Sequence, residues 1–370
     1  MSDPGSPPPP GWQPPPPPAP TYQSPSPPPV GQPGWPPPPP GWAPAPGMLG
    51  AAHKPGAMPL RPLGLGDMYD AAFRIIRFNP KATVGSSVLV AAVAMLIPVV
   101  ITAVLTASVD LSLDGLEGSG GSGSTDTESV VGLVGSFGSL GFGAVLASFG
   151  TILVTGMIAH VSAAAAVGRR LTLGEAWAAT RGKRWRLIGL ALLLGLAVVL
   201  LIGAYALLWV AVVVAAGDSV AAIVVWGLLS VPAFLALLVW FWVRLYYLPV
   251  PALMLEQVGV LGAVGRAFAL TRKQFWRTFG IALLTVIVVG IAGNVLAFPI
   301  GIVGQVVSVA VGSQYTLLVL VITQALSQVV SAAFVTPFTS AVTSLQYLDQ
   351  RMRKEAYDVE LMQQAGITGS

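Results

Sequence analysis

The residues best equipped for chemistry sit in two short stretches, TRGKRWRLIG (Thr180–Gly189) and TRKQFWRTFG (Thr271–Gly280). Aligned without a gap they share Thr, Arg, Trp, Arg and Gly, five of ten positions, in a chain where only 9% of residues are charged. Guanidinium and ammonium groups bind phosphate oxygens, and indole rings favour the boundary between water and hydrocarbon. Such a stretch suits a nucleic-acid contact, a catalytic loop or a membrane-surface element. A second set is uncharged: Asn294, Gln324 and Gln328, the two glutamines four apart and so on one helix face. Amides of this kind bond neighbouring helices or line a polar path. Catalysis asks for paired acids, a histidine cluster or an activated nucleophile. The chain has no cysteine, and of its two histidines His53 lies in a proline-rich tail while His160 has no acid within helical reach. The expectation is no catalytic residue, no metal site and no cofactor. His160 reads either as a packed or interfacial side chain or as a proton or ligand contact.

The elements around these residues decide among the readings. Mean hydropathy is +0.75. Charge-free runs cover Ala82–Val109, Ser129–Gly168, Leu187–Gly217, Ser219–Val243 and Thr278–Leu348. A bilayer core takes about 20 apolar residues per helix. The last run, 71 residues, holds two spans with a break near Phe298–Tyr315. In the second run, glycines at 132, 135, 138, 141 and 143 read as a loop or a close-packed lead-in, with a helix from about 142. The predicted fold class is all-α: a six-span transmembrane helical bundle with spans at about 82–107, 142–167, 187–213, 220–245, 278–298 and 316–346. Pro98, Pro232 and Pro337 are expected to kink spans one, four and six.

All 19 Lys and Arg fall before span one, between spans two and three, between spans four and five, or after span six. The opposite loops carry none; Ser108–Glu128 holds five acids and no base. Basic residues mark the cytoplasmic side. Six spans with both termini cytoplasmic, in the plasma membrane, satisfy that pattern throughout. Arg244, followed by Tyr246 and Tyr247, is expected to snorkel to the interface.

The decamers belong to a longer unit. Ala176–Trp177–Ala178 corresponds to Ala267–Phe268–Ala269, and AAFRIIRFNPK before span one fits the same frame. Phe73 with Arg77, Trp177 with Arg181, and Phe268 with Arg272 each place an aromatic and an arginine on one helix face. Upstream stand LGLGDMYDAAF, LTLGEAWAATR and GVLGAVGRAF. The chain thus reads as three repeats of cytoplasmic surface helix plus transmembrane hairpin, starting near 61, 169 and 257. A short helix with Arg on one side and aromatics on the other lies in the interface plane. The expected membrane-interface residues are Phe73, Arg77, Trp177, Arg181, Trp185, Arg186, Phe268, Arg272, Trp276 and Arg277, facing anionic lipid headgroups. Each decamer leads straight into hydrocarbon, so a nucleic-acid partner is excluded. A structural anchor and a groove for anionic lipid or a phosphorylated substrate stay open. Asp67 and Asp70 can pair with Arg74, and Glu175 and Glu256 read the same way, as solvated stabilisation.

Residues 1–60 hold 25 of the 33 prolines, with Gly-Trp steps at Trp12, Trp35 and Trp42. This predicts a disordered Pro-rich cytoplasmic tail sampling polyproline II. It is either a passive linker or a ligand for a cytoplasmic proline-binding protein. The membrane domain then covers 61–348. Within 349–370, the stripe Leu348, Met352, Ala356, Val359 and Met362 predicts a cytoplasmic amphipathic helix.

RPLGLGDMYDAAFRIIRFNP (61–80), the Pro249–Glu256 run PVPALMLE and RAFALTRKQFWRTFGIALL together resemble actinobacterial membrane proteins related to the membrane domain of glycerophosphoryl diester phosphodiesterase. In relatives that hydrolyse phosphodiesters, the chemistry belongs to a separate soluble barrel with metal-binding acids and His. The resemblance implies a membrane module without that catalytic part. The functional expectation is a non-catalytic scaffold or accessory membrane module. The alternative is a transporter or lipid-handling protein with a polar path near Asn294, Gln324 and Gln328.

Overall fold

A computed structural model describes residues 56–108, 127–217, 219–311 and 313–364. Every regular element among them is helical. In order these are α1 (Leu65–Phe78), a π turn (Lys81–Gly85), α2 (Ser86–Ser108), α3 (Thr127–Ala166), α4 (Leu173–Ala179), α5 (Arg184–Ala216), α6 (Val220–Phe241), a second π turn (Trp242–Tyr246), α7 (Pro249–Leu255), α8 (Val260–Thr271), α9 (Phe275–Ala310), α10 (Ser313–Glu355) and α11 (Tyr357–Gln364). Six of the helical stretches are long and apolar enough to cross a membrane: Lys81–Ala107, Leu146–Ala166, Arg184–Ala216, Val220–Leu255, Phe275–Ala310 and Tyr315–Glu355. Helices are the solution because hydrocarbon offers backbone N–H and C=O groups no other partner.

Two boundaries differ from the sequence-based expectation, both because the backbone stays helical through Gly or Pro that would break a helix in water. The glycines after 131 do not form a loop: α3 begins at Thr127. Two glycines of α3 instead allow close packing on α2. A Cβ on Gly143 would lie 2.5 Å from Pro98 Cγ, and one on Gly150 would lie 2.1 Å from Val90 Cγ1. Likewise α9 runs through Pro299 to Ala310, so the fifth span does not end at 298. The expected kink positions Pro98, Pro232 and Pro337 also lie inside helices.

Four spans make the core. α10 packs on α2, α3 and α9, and α9 reaches it across two small-residue contacts. A Cβ on Gly304 would sit 2.2 Å from Thr323 Cγ2, and one on Gly293 would sit 2.6 Å from Ser331 Oγ. The α5/α6 hairpin joins the core through the start of α5, where Leu187, Leu190 and Leu194 are buried. Its outer part is held by a Tyr205–Phe234 stack at 3.9 Å and a Tyr205 to Ser230 hydroxyl bond of 3.0 Å. No residue of α6 is buried. The return from α6 is a plug: all six residues Pro249–Met254 of α7 are buried. This gives the PVPALMLE run a packing role at the end of α3.

Two terminal boundaries are corrected as well. Ala57, Met58 and Leu60 are buried, and Ala57 N–H donates to Ala165 O at 2.8 Å. The docked chain therefore starts before 61, because these apolar side chains find a site at the end of α3. The remainder of the proline-rich tail, residues 1–55, lies outside the described residues. At the other end α10 continues to Glu355 and carries Leu348 and Met352 into the core. The helix breaks at Ala356, whose φ is 52°. After that turn Leu361 is buried and Met362 packs on the core, whereas Val359 is 46% exposed, so the stripe is interrupted at Ala356 and Val359 and resumes at Met362.

Candidate functional site

Span ends and span middles form two separate sites. In the middle, Asn294 on α9 and Gln324 and Gln328 on α10 line one cleft of about 760 Å³, with Gln305, Ser327 and Ser331. Gln324 and Gln328 also reach a second cleft of about 660 Å³ between α2, α3 and α10, with Ser87, Thr151 and Thr336. The three amides expected to form a polar path thus meet. Asn294 Nδ2 donates to Gly290 O of its own helix at 2.7 Å. Neither Gln324 nor Gln328 has a hydrogen-bond partner among the described residues, and both are exposed to these clefts. At 1.5 Å per residue the glutamines stand about 14 and 20 Å along α10 from Tyr315, within its apolar stretch. His160 lies in α3 with its Nε2 buried and without a hydrogen-bond partner.

At the basic end, α10 carries a polar hub. Gln346, Tyr347, Leu348, Asp349 and Gln350 are fully buried. Asp349 forms an ion pair with Arg277 and a second with Arg353 at 3.0 Å, and accepts from Leu63 N–H at 2.7 Å. Arg277 and Arg353 both donate to Leu63 O, at 2.7 and 3.0 Å. One carboxylate thus clips the N-terminal segment to α9 and α10. In a second network Glu256, just after α7, is paired with Arg266 at 2.9 Å and Arg351 at 3.4 Å, and accepts from the Tyr347 hydroxyl. Glu355 closes this network onto Arg266 and Arg351. The two carboxylates hold the Arg266 guanidinium more firmly protonated than usual, against the opposing pull of burial. Lys183 Nζ donates to Met254 O and Glu256 O at 2.7 and 2.9 Å, and its pKa is lowered by burial and by Arg186. Lys354 Nζ donates to Ala269 O and Arg272 O, closing the C-terminus of α8.

The residues expected at the membrane interface fall into two groups. Phe73, Trp177 and Phe268 are 46%, 47% and 40% exposed, each following a fully buried alanine, Ala72, Ala176 or Ala267. Arg77, Arg181 and Arg272 are exposed, as are Trp185, Arg186 and Trp276. Arg277 departs from the expectation: its guanidinium is drawn inward to Asp349 and Leu63. Arg244 departs too. It stacks over Phe268 and Phe275, at 5.1 and 5.7 Å to the ring centroids, instead of reaching outward. Asp70 pairs with Arg74 at 3.0 Å as expected, whereas Asp67 caps α1 through Gly64 N–H and pairs with Arg61 at 3.4 Å. Glu175 forms a capping box with Thr172, which holds its pKa below the usual value. Glu256 is not a solvated acid but the centre of the second network.

Sequence reasoning missed Asp349, Glu256 and Arg266 as partners. The available signal was local: Asp349 and Arg353, like Arg351 and Glu355, are four apart on one helix. Their distant partners carry no such spacing. Among the described residues no three His, Asp or Glu side chains gather as metal ligands would.

Residues 218–365 match the family of the membrane domain of glycerophosphoryl diester phosphodiesterase. The match contains α6 to α11, hence PVPALMLE, the second decamer, the amide group and both ion networks. Over these residues the chain is similar to that membrane domain. No curated protein and no solved structure matches the sequence.

Proposed function

We propose that the chain is a non-catalytic, multi-pass plasma-membrane protein with both termini cytoplasmic, whose intramembrane clefts hold lipid. The carrying observation is the meeting of Asn294, Gln324 and Gln328 in one cleft between two apolar spans, with the two glutamine amides unpaired. An amide in hydrocarbon without a hydrogen bond is costly. An amphipathic lipid supplies both what the amides lack and what the apolar walls need, and the cleft volumes suit a single ligand chain. Two of the three surface-helix-plus-hairpin units frame the clefts, the first through α2 and α3 and the third through α9 and α10. The repeated burial of Ala72, Ala176 and Ala267 beside half-exposed aromatics supports that organisation.

Full-length protein, extracted in mild detergent, should carry lipid visible by native mass spectrometry. Gln324→Leu combined with Gln328→Leu should lower the number of retained lipids without lowering the unfolding midpoint. A double variant that keeps the wild-type lipid complement would end this reading. Orientation is tested separately: a cysteine at Ser119 should label from outside, and one at the exposed Arg181 only after permeabilisation.

A scaffold role is supported by a different observation. α6 buries nothing within this chain, so the α5/α6 hairpin offers a partner span a full apolar face. Crosslinking from this hairpin to a second membrane protein, with the amide variants inert, would favour it.

A further inference from the structure

A hollow of about 480 Å³ opens at the basic end where spans four, five and six meet. Its lining carries four cations, Arg244, Lys273, Arg277 and Arg353, beside Phe275 and Trp276. One carboxylate, Asp349, engages two of them, Arg277 and Arg353. Lys273 stands in the left-handed region, φ 67°, which a residue with a side chain adopts rarely. Its ammonium has no partner among the described residues. Arg244 is fixed against Phe268 and Phe275, yet its buried Nε and Nη1 have no hydrogen-bond partner. Arg277 and Arg353 retain donors, because a guanidinium has five N–H groups and each donates to only two partner residues here, Asp349 and Leu63.

Cations brought together with unused donors repel one another, and an anion relieves both deficits. The position selects the anion's carrier. The hollow sits where three spans enter the apolar layer, and Trp276 on its rim is 78% exposed, as a ring at headgroup level would be. We propose that Arg244, Lys273, Arg277 and Arg353 bind the phosphate ester of a membrane lipid, with its acyl chains lying outward beside Trp276. No residue of this site belongs to the two clefts, so the proposal stands apart from the cleft reading.

The test uses the full chain in mild detergent and native mass spectrometry. Added phosphatidylglycerol should bind in preference to diacylglycerol, which lacks the phosphate. Lys273→Asn keeps a residue that tolerates the left-handed backbone and removes the charge. Combined with Arg244→Gln it should weaken phosphatidylglycerol binding by at least about tenfold, while Lys273→Arg, which keeps the charge, should bind as the wild type does. Should the double variant fail to fold, Lys273→Asn alone carries the same expectation. Equal binding of phosphatidylglycerol by wild type and variants overturns the proposal, as does equal retention of diacylglycerol. Displacement by millimolar glycerol 3-phosphate would assign the site to a water-soluble phosphate ester and overturn the lipid assignment. Gln324→Leu with Gln328→Leu should leave this binding unchanged, which separates the two sites.

Discussion

The two decamers begin alike and end differently. In both, the threonine is buried, Thr180 at 1% and Thr271 at 0%, and the tryptophan stands out, Trp185 at 81% and Trp276 at 78%. The arginine that follows parts them. Arg186 remains exposed, whereas Arg277 is tied to the fully buried Asp349, 72 residues onward, and to Leu63. The hairpins behind them differ in the same sense. α9 and α10 interlock through glycines with no room for a methyl group, while α6 buries nothing. A shared motif therefore sets where a span begins. Whether the span joins the core depends on what the rest of the chain brings to it.

The largest expected difference lies at that arginine's partner. Asp349→Ala leaves Arg277 and Arg353 without their shared carboxylate and should cost about 3 kcal/mol. Arg186→Ala should stay within about 0.5 kcal/mol. Thermal unfolding in detergent reads both, and equal shifts would erase the contrast. Next come the hairpins. Gly304→Ala should cost about 1–3 kcal/mol, because its Cβ would lie 2.2 Å from Thr323. Gly203→Ala on α5, with nothing within 4 Å, should be neutral or mildly stabilising by the same assay. A smaller effect is expected at the surface helices. Thr172→Ala removes the cap of α4 and should cost about 1 kcal/mol, read as faster hydrogen exchange confined to α4.

The smallest effect is pH-dependent. The Glu175 pKa is lowered from 4.5, first by its bond to the Thr172 N–H. Its folded value lies below its unfolded one, so its support of α4 is present above pH 4.5 and is lost as pH falls through the depressed value. Exchange in α4 should rise there, and Glu175→Gln should remove that rise. α8, whose N-cap Gly259 makes no side-chain capping bond, should not share it.

Much of this architecture was readable before the fold was known, and the particular residues say why. Spans were legible because apolar length is a local quantity. Asn294, Gln324 and Gln328 were legible as a group because polar residues inside a charge-free run stand out. The end of span five was misplaced because Pro299 is a breaker in water, whereas in α9 it is accommodated within a continuous helix. The role of Asp349 was invisible because an isolated acid at a span end looks the same whether solvated or clamped by arginine.

Sequence alone determined the six apolar helices, the one-sided distribution of Lys and Arg, and the echo of the decamers, since each depends on neighbouring residues or on composition. Only the tertiary structure decided that Arg277 turns inward, that Leu63 is clipped to α10, that four cations surround one hollow, and that the amides of α9 and α10 share a cleft. Those outcomes depend on partners from distant parts of the chain. Burial then selects among them, because a charge taken out of water must find its counterpart there.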